Sequence, residues 1–263
     1  MRITGSTVLL TGATGGIGHA LARELTARGA KLVVSGRRAD ALESIADEFG
    51  ARAVVADLAD PADVDRLAES CADTDILIAN AALPSSGDLL DYTPEQIDRA
   101  LTVNLRAPIV LARLLAPRMV GAGRGHIAMI GSISGKAATK SSSLYNATKF
   151  GLRGFAAGFR QDLHGTGVGV SVVQPGFVRD AGMFAATGAT PPGGMRTVSP
   201  AQVAAGVTRA VERDLCELNV APPEMRLLSA IAGQFPGFAE KVQRRSGAEG
   251  TIRQIVAAQR SKR

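Results

Sequence analysis

Val8-Leu9-Leu10-Thr11-Gly12-Ala13-Thr14-Gly15-Gly16-Ile17-Gly18 is the stretch on which the fold turns. Its aliphatic start reads as a short buried strand, its glycines as a tight turn, and Leu21 and Leu25 continue at helical spacing to a stop at Gly29. Glycines let a backbone bend sharply and approach a ligand closely, and the helix beyond offers free N–H groups and a positive dipole end. Such a turn suits a pyrophosphate. The glycines alone would also fit a structural turn; the strand–turn–helix setting favours the dinucleotide.

The same alternation of strand and helix continues along the chain. Six further strands are predicted near Lys31-Ser35, Arg52-Ala56, Asp75-Ala79, His126-Gly131, Val168-Gln174 and Glu217-Ala221, after the first at Thr7-Thr11. Near-continuous apolar strands separated by amphipathic helices build a parallel sheet covered on both faces. The helices carry their own punctuation. Leu42, Ile45, Ala46 and Phe49 repeat at helical spacing before Gly50, Asp60-Pro61 is a cap with proline behind it, and Thr93-Pro94-Glu95-Gln96 and Ser199-Pro200-Ala201-Gln202 are capping boxes. The one long Gly/Pro-rich stretch, Asp180 to Thr197, leaves the carboxyl edge after the sixth strand and is expected to be a substrate lid. Its Met183, Phe184, Pro191, Pro192 and Met195, with Leu83 and Pro84 across the edge, predict an apolar pocket.

With 263 residues, 46% hydrophobic and 21% charged, the chain is not disordered, and one domain over residues 1–223 is expected. No apolar run approaches the ~18 residues of a membrane span, and Met1 to Ser6 is no secretion signal, so a cytoplasmic protein is expected. Two cysteines make neither a disulfide framework nor a metal site; Cys71 shares a helical face with Val64, Leu67 and Ala68 and reads as core. The net charge of +6 sits mostly in residues 224–263, where eight basic residues face three acidic ones. A tail without Tyr or Trp offers no stacking platform, which argues against nucleic acid. Leu227, Leu228, Ile231, Phe235 and Phe238 precede Arg244, Arg245, Arg253, Arg260, Lys262 and Arg263 in it. That pattern is compatible with an anionic membrane surface, but docking on its own domain or on a second subunit is the favoured reading.

Four places carry chemistry. The second strand ends in Ser35-Gly36-Arg37-Arg38, where an acid would hold free ribose hydroxyls; two guanidinium groups instead suit a 2′-phosphate, favouring NADP(H) over NAD(H). Tyr145 and Lys149 lie four apart on one helical face, so the ammonium can help lower a phenol pKa that is ordinarily near 10. Ser132, at the end of the fifth strand, can hold a carbonyl for that phenol, although a turn or cap serine would look the same. Asn104 lies on a stripe with Ile97, Leu101, Leu105 and Pro108; Pro108 cannot bond the Asn104 carbonyl, and a water leading to Lys149 would satisfy it.

Thr11-Gly-x-x-x-Gly16-x-Gly18, Asn104, Ser132 and Tyr145-x-x-x-Lys149, in this order, resemble the classical short-chain dehydrogenase/reductase family over about residues 5 to 223. The resemblance implies a single-domain α/β Rossmann fold, doubly wound, with a seven-stranded parallel sheet in the order 3-2-1-4-5-6-7. It also implies a homodimer or homotetramer built partly from the helices of Asn104 and Tyr145. By position, Tyr145 resembles the acid-base group, Ser132 the carbonyl-orienting group, Lys149 the ribose-binding cation and Asn104 the holder of a relay water. Cofactor positions so implied are Gly12, Thr14, Gly15, Gly16, Ile17 and Gly18 in the turn, Asp57 and Leu58 at adenine, Asn80 and Ala81, and Pro175, Gly176 and Val178 near the nicotinamide. The family's Asn-Asn-Ala-Gly is here Ala79-Asn80-Ala81-Ala82, and its Thr after Pro-Gly is missing from Phe177-Val178-Arg179-Asp180, so weaker bracing and carboxamide anchoring are expected. The implied activity is interconversion of a ketone or aldehyde and an alcohol; the alternative is a non-catalytic nucleotide-binding or scaffold protein on the same fold.

Overall fold

A computed structural model describes residues 1–191, 194–245 and 249–260, without the side chains of 242–245. Pro192, the side chains of Arg244 and Arg245, and Lys262 and Arg263 therefore lie outside the described residues. Seven strands, β1 (Thr7–Thr11), β2 (Lys31–Gly36), β3 (Arg52–Val55), β4 (Ile76–Ala79), β5 (Gly125–Ile130), β6 (Val168–Pro175) and β7 (Glu217–Val220), form one parallel sheet in the order β3-β2-β1-β4-β5-β6-β7. The expected strands and order are present, with ends shifted by a residue. Helices α1 (Gly16–Ala27), α2 (Ala39–Phe49) and α3 (Pro61–Ser70) connect the first four strands. Both predicted capping boxes form, and Asp60 caps α3 by accepting from the Ala62 N–H.

The core has two layers, one on each face of the sheet. Alternate residues of β1 face opposite ways, Leu9 toward one apolar cluster and Val8 and Leu10 toward the other. A sheet so buried has no water-facing side, which is why its strands read as unbroken aliphatic runs. Cys71 is fully buried in the first cluster, and burial pushes its thiol up.

The segment around Asn104 departs from expectation. Helix α4 (Pro94–Leu101) passes through a π-helical turn, Thr102–Arg106, into α5 (Ala107–Gly121). There the Ala107 N–H bonds the Thr102 carbonyl, five residues back. A wider turn just ahead of Pro108 accommodates the missing proline N–H, and it rotates the buried face. Ala100, Val103, Asn104, Ala107 and Leu111 are buried, whereas Ile97, Leu101 and Leu105 of the predicted stripe are only half-buried. By length and composition, Pro94–Gly121 is apolar enough to cross a membrane, although Arg99, Arg106, Arg113 and Arg118 interrupt it as an apolar run. Half of its apolar window is buried against the sheet.

Beyond β5 come α6 (Ser143–Asp162), the short α7 (Gly182–Ala185) inside the Gly/Pro-rich stretch, and α8 (Pro200–Glu212). The basic extension forms α9 (Pro223–Gln234), α10 (Pro236–Arg245) and α11 (Glu249–Gln259). It docks on its own domain through Met225, Ser229 and Gln259, all buried, while Leu227, Leu228, Ile231, Phe235 and Phe238 stay exposed.

Candidate active site

Chain order reverses between β1 and β4, and at such a switch point the connections part and leave a crevice at the carboxyl edge. Here it is a cleft of about 950 Å³. The glycine turn forms one wall, and its glycines are required by contact. Gly12 has φ 67°, and a Cβ there would lie 2.7 Å from Ala81 Cα. A Cβ at Gly16 would overlap Ala181 Cβ, and one at Gly18 the Gly12 carbonyl oxygen. The turn thus fits closely against the loop after β4 and against the segment leading into α7.

Of the residues expected at a dinucleotide, Gly12, Thr14, Gly15, Gly16, Ile17 and Gly18 line the cleft at this turn. Arg37, Arg38, Asp57 and Leu58 line it beyond β2 and β3, and Asn80 and Ala81 on the β4 side. Arg37 and Arg38 are exposed and form no ion pair among the described residues. Pro175, Gly176 and Val178 are not part of the wall. Pro175 ends β6, the Gly176 N–H bonds the Val220 carbonyl, and Val178 is buried beside Val198 and Val203. Val198 spends its backbone groups on Phe177 and Arg179, so the N–H of Val178 points to the other side of that bridge.

The shortened Asn80 motif still braces the sheet. Thr11 Oγ1 accepts from the Asn80 and Ala81 N–H groups at 3.1 and 3.2 Å, and Asn80 Nδ2 donates to the Thr11 and Gly12 carbonyls, each at 3.1 Å. One asparagine therefore ties β4 to the glycine turn, and the expected weakening is not seen at these contacts. Asn104 clamps the next residues: its Oδ1 accepts from the Leu83 N–H at 2.6 Å, and its Nδ2 donates to the Leu83 carbonyl at 2.9 Å. This side-chain grip on the loop was not foreseen; the sequence had suggested only an unpaired carbonyl.

Ser132, Tyr145 and Lys149 come together outside the cleft wall, at the end of β5. Ser132 lies beside the Tyr145 phenol and pulls its pKa down, and the Ser132 Oγ accepts from the Ser134 N–H at 3.1 Å. Lys149 Nζ lies 5.7 Å from the Tyr145 ring centre and donates to the Ile130 carbonyl at 2.9 Å. Gly135 makes the approach possible, because a Cβ there would stand 2.6 Å from the Lys149 carbonyl. Burial pushes the phenol up, with Ser132 pulling it down, and burial pushes Lys149 down to about 8. The expected lowering of the phenol by Lys149 is therefore not what the protein alone produces; desolvation outweighs the pull of Ser132.

Met183, Leu83 and Pro84 line the cleft as expected, whereas Phe184 packs on Phe177 at 4.6 Å between ring centres, and Pro191 and Met195 are not in the wall. Sequence reasoning missed Ala258 and Gln259, which α11 brings into the wall. The signal was there: Ile252, Ile255, Val256 and Gln259 form one helical stripe with a polar residue in an apolar place.

The model of the short chain dehydrogenase family matches residues 6–191. The chain belongs to that family. A ketoacyl reductase of Nostoc, HetN, is 34% identical over 83% of this chain and 79% of its own. An uncharacterized oxidoreductase of Staphylococcus aureus strain N315 is 32% identical over 84% of this chain and 98% of its own. A short-chain dehydrogenase from Sphingobium yanoikuyae in complex with NADPH has a TM-score of 0.77 at 30% identity, covering 89% of this chain and 95% of that one. As a short-chain dehydrogenase/reductase, the protein is an oxidoreductase working between CH–OH and C=O groups with NADP(H) or NAD(H).

The residues present fit such a cofactor. Added Cβ atoms at Gly12, Gly16 and Gly18 would disrupt the cradle, the first helix turn offers its N–H groups to a pyrophosphate, and two arginines stand on the flank where a ribose phosphate would lie.

Proposed function

We propose that the protein interconverts a ketone or aldehyde and the matching alcohol on a small, apolar molecule, preferring NADP(H), with Tyr145 as general acid and base. The placement of Ser132 and Lys149 beside the Tyr145 phenol carries this reading. A nicotinamide dinucleotide, when bound, supplies or accepts the hydride. In the reducing direction Ser132 holds the substrate carbonyl, and the Tyr145 hydroxyl gives its proton to that oxygen. In the oxidising direction the phenolate takes it back. Lys149 supports the phenolate electrostatically and reaches the ribose. Asn104, by fixing the loop at Leu83, holds the opposite side in register and helps place a relay water toward Lys149. The Val178 N–H is the group available for a carboxamide in place of the missing threonine, with Pro175 and Gly176 shaping the turn before it.

The cleft residues Leu83, Pro84, Val103 and Met183 support a hydrophobic substrate. The stretch 180–197 acts as the lid, and the protein works in the cytoplasm as a homodimer or homotetramer. Tyr145→Phe tests the mechanism. Turnover of a ketone panel should fall by at least about a thousandfold, within the usual weight of acid–base catalysis, while NADPH binding changes little. Substantial remaining turnover would exclude Tyr145 as the acid.

A further inference from the structure

Helix α11 is held at three points, and its last turn lines the cleft. Lys140 and Glu249 pair at 3.0 Å at its start, Thr251 Oγ1 donates to the Thr190 carbonyl at 3.0 Å, and Gln259 Oε1 accepts from the Ser86 N–H at 3.3 Å at its end. Those partners belong to three different loops: the one after β5, the Gly/Pro-rich stretch, and the one after β4. Eleven helical residues span about 15 Å, enough to cross a cleft mouth.

The inward stripe of α11 is Ile252, Ile255 and Val256, half-buried, and Gln259, 6% exposed. A glutamine at the most buried position of an apolar stripe costs desolvation unless its polar ends are used. Its Oε1 is used by Ser86. What the residue can still offer a ligand in the cleft it lines is the pair of Nε2 protons.

We infer that α11 is the inner wall of the substrate site and that Gln259 determines specificity, donating to a second acceptor oxygen on the substrate beside an otherwise apolar body. This rests on the proposed carbonyl chemistry. A 3-oxo ester has that second oxygen; a methyl ketone of equal length does not. A site built to donate a hydrogen bond discriminates against the analogue lacking the acceptor.

The test uses the full chain and the variants Gln259→Glu and Gln259→Met. Glutamate keeps an acceptor for the Ser86 N–H but has no Nε2 protons, so it would preserve a merely structural role. The parent should favour the 3-oxo ester over the plain ketone in kcat/KM. Both variants should lose about tenfold for the ester, mainly in KM, with the ketone and NADPH binding little changed. Binding is read separately as the rise in Tm given by the 3-oxo ester with NADP+, a pair that cannot react. That rise should shrink in both variants. If the Gln259→Glu variant matches the parent in both readouts, or if ester and ketone fall together, the inference is overturned. Absence of turnover with the difference in Tm intact would instead condemn the proposed reaction and leave the role of Gln259 standing.

Discussion

At the scale of single residues, a pair of arginines and a single histidine differ in what surrounds them. Arg37 and Arg38 face the cleft without partner carboxylates among the described residues, so their charge is available to a ligand. Replacing Arg37 with Asp and Arg38 with Ala should lower the affinity for NADPH at least tenfold and spare NADH, as measured by titration of cofactor fluorescence. Equal binding of both cofactors by the parent would remove the basis of the preference. His126 is the opposite case. Ser171 Oγ spends its proton on the Leu215 carbonyl, so His126 Nε2 carries a hydrogen and is the donor in their 2.8 Å bond. Burial pushes His126 from 6.5 down to about 4, although Asp214 pulls it up. Since the folded value lies below the unfolded one, the unfolded chain takes the proton first, and stability falls as pH drops from about 6.5 toward 4. By pH 5 the loss is roughly 2 kcal/mol, and His126→Gln, which keeps a donor for Ser171, should show a flatter Tm against pH. Matching slopes in parent and variant would refute this.

Among elements, the glycine turn is the least tolerant. Gly12 needs a positive φ and has Ala81 backbone where a side chain would go. Gly12→Ala therefore combines a left-handed alanine, roughly 1–2 kcal/mol, with overpacking of roughly 1–3 kcal/mol. Calorimetry should show a lower Tm, and NADPH affinity should drop more than tenfold; an unchanged Tm would mean that the β4 loop yields easily. The turn and β4 were legible because their residue types have local causes. The π turn at Thr102–Arg106 was only half legible: Pro108 announced a broken hydrogen-bond pattern, but whether the helix would kink or widen depended on how Val103 and Asn104 packed beneath it.

For the whole molecule, α5 with the π turn before it and α6 leave an apolar surface with Leu105, Val110, Leu114 and Phe155 half-buried and Phe150 40% exposed. Phe155 and Phe159 stack on it at 5.2 Å. Apolar area of that kind, on the helices that carry Asn104 and Tyr145, fits self-association. Phe150→Asp combined with Phe159→Asp should shift the mass found by light scattering toward the 27.1 kDa of one chain, and an unchanged mass would place the interface elsewhere.

The sequence by itself determined the alternating α/β architecture, the strand order through a family resemblance, the glycine turn, and which side chains compose the Ser132, Tyr145 and Lys149 cluster. Apart from the strand order, which only the resemblance implied, these follow from periodicity, caps and spacing, which are local properties. Tertiary structure alone decided that Asn104 grips Leu83, that burial raises the Tyr145 phenol, and that Gln259 of the last helix joins a cleft begun at Gly12. Desolvation and contacts between residues far apart in the chain exist only once the layers have packed, so no window of sequence contains them.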